Sequence, residues 1–178
     1  MTRKIVVATV ILTILIFPAC KTKRIWKSMP ANQTLNSQSY DIGLEPLKRD
    51  AEYFNWFHLT VTNKTSDDME IDWNRTRYIH NGKDAGPFIF AGIVPESVKN
   101  NTIPGAVIQG GDTFARDIVP LKLIAFTPLR EQSIDTENHN IRAGLIPEGE
   151  NGISLVIRQD GRSARAKLIV NIENREVQ

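Results

Sequence analysis

The sequence has one cysteine, which excludes an internal disulfide, so no covalent bridge within the chain closes the fold. It has no HExxH pair, no GxSxG elbow, no P-loop and no dinucleotide-binding glycine pattern. Motif-borne metal, nucleophile and nucleotide chemistry are therefore absent, and no cofactor is implied. Charge of one sign is also lacking: 22 Lys and Arg face 20 Asp and Glu, a net +2. That is too small a surplus for the electrostatic footprint of a nucleic-acid binder. Helical periodicity is weak throughout, and no helix longer than about two turns is expected. What is present is a 41% apolar chain of 178 residues, too apolar for disorder and sized for one domain.

The first twenty residues read as a targeting segment. Arg3 and Lys4 precede Ile5–Phe17, a run apolar apart from Thr9 and Thr13, which ends at Pro18-Ala19-Cys20. As a helix the run would reach about 20 Å, short of the roughly 30 Å hydrocarbon core of a bilayer, whereas a signal h-region of that length is ordinary. The lone cysteine follows a small residue at the boundary where Lys21-Thr22-Lys23-Arg24 begins.

Phe17-Pro18-Ala19-Cys20 resembles the end of a bacterial lipoprotein signal, in which a small residue precedes the cysteine that is lipidated; Phe17 stands where Leu is commoner. The resemblance implies that Cys20 becomes the first mature residue, carrying a diacylglyceryl thioether and an N-acyl chain. Two or more chains anchor stably, at about 0.8 kcal/mol per buried CH₂. In this family an Asp after the cysteine commonly retains the protein at the inner membrane. Lys21 stands there instead, implying the outer membrane, facing the periplasm. Without Arg3 and Lys4, the chain from residue 20 carries 20 charges of each sign. Lys21, Lys23, Arg24 and Lys27 crowd next to the anchor, whereas every acid lies at Asp41 or later. These four cations are candidate contacts to lipid phosphates, at about 1 kcal/mol each near an anionic surface.

Residues 20–39 are expected to be anchor and flexible tether, because Ser28–Ser39 is polar and without apolar periodicity. From residue 40 the pattern alternates with period two. Phe57, Leu59 and Val61 form one apolar series, Met69, Ile71 and Trp73 a second, and Ile153, Leu155 and Ile157 a third. Ala164, Ala166, Leu168, Val170 and Ile172 form the last. Such alternation puts one set of side chains in a core and the other in water. Asn81-Gly82 and Asp160-Gly161 are hairpin turns by composition, since both central residues of a type I′ turn need positive φ. Pro87–Val94 and Thr113–Phe126 are further strand candidates around a Gly110-Gly111-Asp112 turn, and a helical turn fits Pro95–Asn100.

Seven to eight short strands over residues 40–178 predict an all-β, antiparallel β-sandwich. The stretch from Phe57 to Gly82 and the final hairpin resemble the Ig-like sandwich domains of small bacterial lipoproteins. Trp73 is then expected to fill the space between the sheets.

Candidate chemistry is sparse. His58, His80 and His139 show no metal-ligand spacing, and His58 is expected to face outward as a structural histidine. Asp67, Asp68, Glu70 and Asp72 supply oxygens of the kind Ca²⁺ takes, but not at EF-hand spacing, and acids on a wet strand face are ordinary. Trp56 and Tyr78 are candidate ligand contacts: one of Trp56 and Phe57 must face outward, and an exposed aromatic ring stacks on sugars or anchors a protein. Four sequons, at Asn32, Asn63, Asn74 and Asn100, are read as chance matches. The expected function is a non-enzymatic, lipid-anchored envelope protein whose sandwich binds another envelope component, a protein before a glycan or peptidoglycan. An envelope enzyme with an unfamiliar site is the third reading.

Overall fold

The computed structural model describes residues 23–93, 95–124 and 142–177. The chain is all-β and antiparallel, built as two sheets around one core. The first sheet holds β1 (Lys23–Met29), β5 (Met69–Ile71), β6 (Arg77–His80), β7 (Lys83–Asp84), β9 (Ala106–Ile108), β11 (Gly149–Gln159) and β12 (Arg162–Val177). Its order is β1-β12-β11-β5-β9, and β6, followed by β7, pairs with β11 alongside β5. The second holds β2 (Gln33–Asn36), β3 (Tyr40–Leu47), β4 (Trp56–Asn63), β8 (Phe88–Ile89) and β10 (Thr113–Pro120), in the order β2-β3-β4-β10-β8. One short helix, α1 (Pro95–Lys99), and a 3-10 turn at Leu121–Leu123 complete the described elements.

The alternating series become the core. Phe57, Leu59 and Val61 of β4 and Ile153, Leu155 and Ile157 of β11 are each at most 2% exposed. Trp73 is buried between the sheets, its ring 4.7 Å from that of Phe90 and 6.0 Å from that of Phe114. Both expected tight turns form, with positive φ at Asn81, Gly82, Asp160 and Gly161. The strand total exceeds the expected seven to eight because β1 and β2 fall within the expected tether and β7 and β9, two and three residues long, are too brief for alternation to register.

The expected tether is the main departure. Within residues 20–39, Lys23–Met29 is β1, paired antiparallel along its whole length with Met29 opposite Asn171 and Lys23 opposite Val177. Gln33–Asn36 is β2, paired with β3 in the other sheet. The chain thus crosses from one sheet to the other within a few residues. Residues 23–36 belong to the sandwich, which is not confined to residues from 40 on. These are edge strands, and an edge strand that buries only part of one face needs no apolar alternation. Their polar composition therefore hid them.

Candidate functional site

On β4, β-strand parity sends Phe57 inward and Trp56, His58, Thr60 and Thr62 outward. His58 lies between Glu45 of β3 and Asp117 of β10 in register. Its Nδ1 donates to Asp117 Oδ1 at 2.5 Å, and Arg49, from the loop after β3, pairs with Asp117 Oδ2. The same guanidinium lies over the Trp56 ring, 5.5 Å from its centroid. The Asp117 carboxylate is 14% exposed and has a cationic or donor partner on each oxygen. This cluster fastens the β3–β4 loop to β10 across the outer face of the sheet. It contains an oriented imidazole but no nucleophile: among the described residues no hydroxyl hydrogen-bonds to His58, and the Thr62 and Thr113 hydroxyls bond to each other at 2.9 Å. Trp56 does face outward, with Arg49 over its ring.

Tyr78 is not available to a ligand. It is 1% exposed, and its hydroxyl donates to Asn151 Oδ1, which also meets His80 Nδ1 at 3.2 Å. Asn151 Nδ2 donates to the carbonyls of Pro147 and Gly149, so the phenol closes a buried network at the start of β11. Sequence parity did not reveal this, because both Tyr78 and its neighbour Ile79 are buried. Burial pushes the Tyr78 phenol well above its ordinary value of about 10. The folded state therefore holds this proton where the unfolded chain has lost it, and stability must fall as pH rises above about 10. Tyr78→Phe is expected to cost about 1–2 kcal/mol at neutral pH and to flatten that alkaline decline. Urea titrations at pH 7 and at pH 11 check both effects; an unchanged alkaline slope would remove Tyr78 as its source.

The acidic quartet is dispersed. Asp72 is buried, pairs through Oδ2 with Arg158 and accepts the Arg75 N–H through Oδ1. Glu70 lies 4.0 Å from the same guanidinium, and Asp67 and Asp68 stay exposed in the preceding turn. Among the described residues no three His, Cys, Asp or Glu side chains converge on a point, so the weak calcium candidate loses its geometry.

Sequence reading missed a structural hub at Asn63, the fully buried last residue of β4. Its amide donates to the carbonyls of Asp67, Ile108 and Gln109 at 2.8–3.1 Å, while Oδ1 accepts from the N–H and hydroxyl of Thr65. It ties the β4–β5 turn to the β9–β10 turn. There Gly110 lets the Ser66 carbonyl approach to where a Cβ would sit, at 2.3 Å, and Gly111 takes positive φ. The Asn63 sequon is thus inaccessible in the folded protein.

The feature with most capacity for binding is a strand edge. β12 pairs with β11 from Arg162 to Ile172 and, on its other side, with β1 only from Asn171 to Val177. From Arg162 to Val170 that second side takes no strand partner among the described residues. β2 runs beside it but hydrogen-bonds into the opposite sheet. Where this edge meets the β2–β3 turn, an open groove of about 610 Å³ lies between Ser39 and Tyr40 on one side and Arg162, Ser163 and Ala164 on the other. Cys20, Lys21 and His139 lie outside the described residues. Lys23, Arg24 and Lys27 lie on β1, not on a loose collar, and Arg24 pairs with Glu176 at 3.1 Å, both largely exposed. No family model matches the chain, and no curated protein shows significant similarity to it.

Proposed function

We propose that the protein is a non-enzymatic, lipid-anchored component of the cell envelope whose sandwich captures an extended segment of another envelope protein. The observation that carries this reading is the unpaired edge of β12 from Arg162 to Val170, with a groove opening beside it. An unpaired edge presents a row of N–H and C=O groups that an extended segment satisfies by β-augmentation, and flanking pockets then select side chains.

The position of β1 sets the geometry that the envelope reading takes. If Cys20 carries the lipid, only Lys21 and Thr22 separate it from β1. At no more than about 3.6 Å per residue, the anchor holds Lys23 within about 11 Å. A sandwich so tied sits at the membrane surface, with the β1 cations beside the headgroups. Lys23 pairs with Val177, so the other end of β12 points away: its sixteen residues span about 50 Å. The unpaired edge and groove belong to this far end, where a partner is reached without displacing lipid. Membrane fractionation tests the reading. The wild-type chain is expected to sediment with membranes and to co-purify with one recurrent protein after cross-linking of intact cells, and Cys20→Ser is expected to move it to the soluble fraction. A soluble wild-type protein, or recovery of monomer alone, would contradict the proposal.

A further inference from the structure

The side chains along the unpaired edge go further than the backbone. Outward positions of β12 carry Ser163, Arg165 and Lys167, and the inward Ala166 and Leu168 are buried. Arg162, Arg165 and Lys167 are exposed, and none enters an ion pair among the described residues. Arg75 reaches the same face, its Nη1 3.5 Å from Ser163 Oγ, and is likewise without an acidic partner there. The nearest acid on this face of β12, Glu173, is taken by Arg175 and Asn171. Asp160 lies in the groove at the hairpin tip. Elsewhere the first sheet pairs its arginines: Arg158 with Asp72 and Glu70, and Arg77 with Asp84. Arg75, Arg162, Arg165 and Lys167, four cations without an acidic partner among the described residues, therefore lie together along the unpaired edge.

Resting on the proposal of protein capture, we infer that the partner segment is acidic at alternate positions: carboxylates face Arg165 and Lys167, and small or apolar residues lie between them. Strand periodicity requires the alternation, because a strand added beside β12 puts every second side chain on the cationic face. The intervening positions turn towards Tyr40, Ile157 and Ala164, which line the groove, and towards Leu35, packed on the core. A second copy of this chain does not fit the edge. Pairing β12 with its own counterpart would oppose Arg165 and Lys167 with like charges, which disfavours cross-strand neighbours. The same cations that attract an acidic strand thus keep the edge from self-association.

Hydrogen exchange on the full chain in detergent micelles separates this inference from the reading beneath it. The probes are an alternating Glu–Val peptide, its Lys–Val counterpart and anionic phospholipid vesicles. The Glu–Val peptide is expected to slow exchange across residues 162–170 and to bind at least about tenfold tighter than Lys–Val, as a few cross-strand charge pairs allow. The double variant R165E/K167E is expected to reverse the preference. Equal protection by both peptides would overturn the acidic selectivity while leaving edge capture standing. No protection of 162–170 by either peptide would overturn edge capture as well. Protection by the vesicles alone would make this cationic face a membrane surface, and would also overturn it.

Discussion

Replacing Asn63 by aspartate is expected to unfold the protein at neutral pH. The amide nitrogen of Asn63 donates to three backbone carbonyls inside the sandwich, and aspartate would set a carboxylate oxygen against all three. Stranding one buried carbonyl costs about 1–3 kcal/mol, and a buried unpaired charge costs more. The Asp67 carbonyl keeps the Gln159 amide and the Gln109 carbonyl keeps the Asp112 N–H, so the larger loss is the buried carboxylate facing three carbonyl oxygens, which approaches the roughly 5–15 kcal/mol that holds a domain folded. Asn63→Ala removes the donors without adding a charge and is expected to cost about 3–5 kcal/mol. The pH dependence gives the mechanism its signature. Burial against carbonyls favours the protonated acid, so the aspartate variant should regain stability as pH falls towards 4 and lose it again as pH rises. Urea denaturation followed by tryptophan fluorescence decides the matter; an aspartate variant within about 1 kcal/mol of wild type at pH 7 would show that the turns do not depend on this amide.

Asn63 also shows where the sequence stops being informative. The core strands were legible because each buries one face: Phe57, Leu59 and Val61 alternate with polar partners, and the inward positions of β12 from Ala166 to Ile172 do the same. The Asn81-Gly82 and Asp160-Gly161 turns were legible because their backbone demands those residue types. Asn63 stood out in the sequence only as a sequon, since nothing in Asn-Lys-Thr announces that the Asp67, Ile108 and Gln109 carbonyls converge on it. Tyr78 was read as a candidate surface ring because its burial is set by β11 across the sheet, more than seventy residues along the chain. β1 was invisible for a related reason: its stability comes from register with β12, which its own Lys-Arg-Ile-Trp-Lys-Ser-Met composition does not reveal.

The proposed binding edge lies between these cases. The series from Ala164 to Ile172 marked β12 as a strand, and its intervening Arg165 and Lys167 looked like an ordinary wet face. That this strand is sixteen residues long, and that β1 leaves it at Asn171, emerges only from the pairing. The His58–Asp117–Arg49 cluster likewise needed β4 and β10 brought side by side, and its two carboxylate contacts give it a structural role.

Site-specific photo-cross-linking in intact cells tests the central claim most directly. A photoreactive residue replaces Ser163 on the unpaired edge, and in a control replaces Val107, 65% exposed on β9 at the opposite margin of the sheet. The mass of the Cys20 peptide is read from the same sample. The expected result is a single recurrent adduct at residue 163, none at residue 107, an acidic extended segment at the cross-linked site of the partner, and an acylated Cys20. Adducts equally frequent at both positions, or an unmodified Cys20 with no adduct at 163, would contradict it.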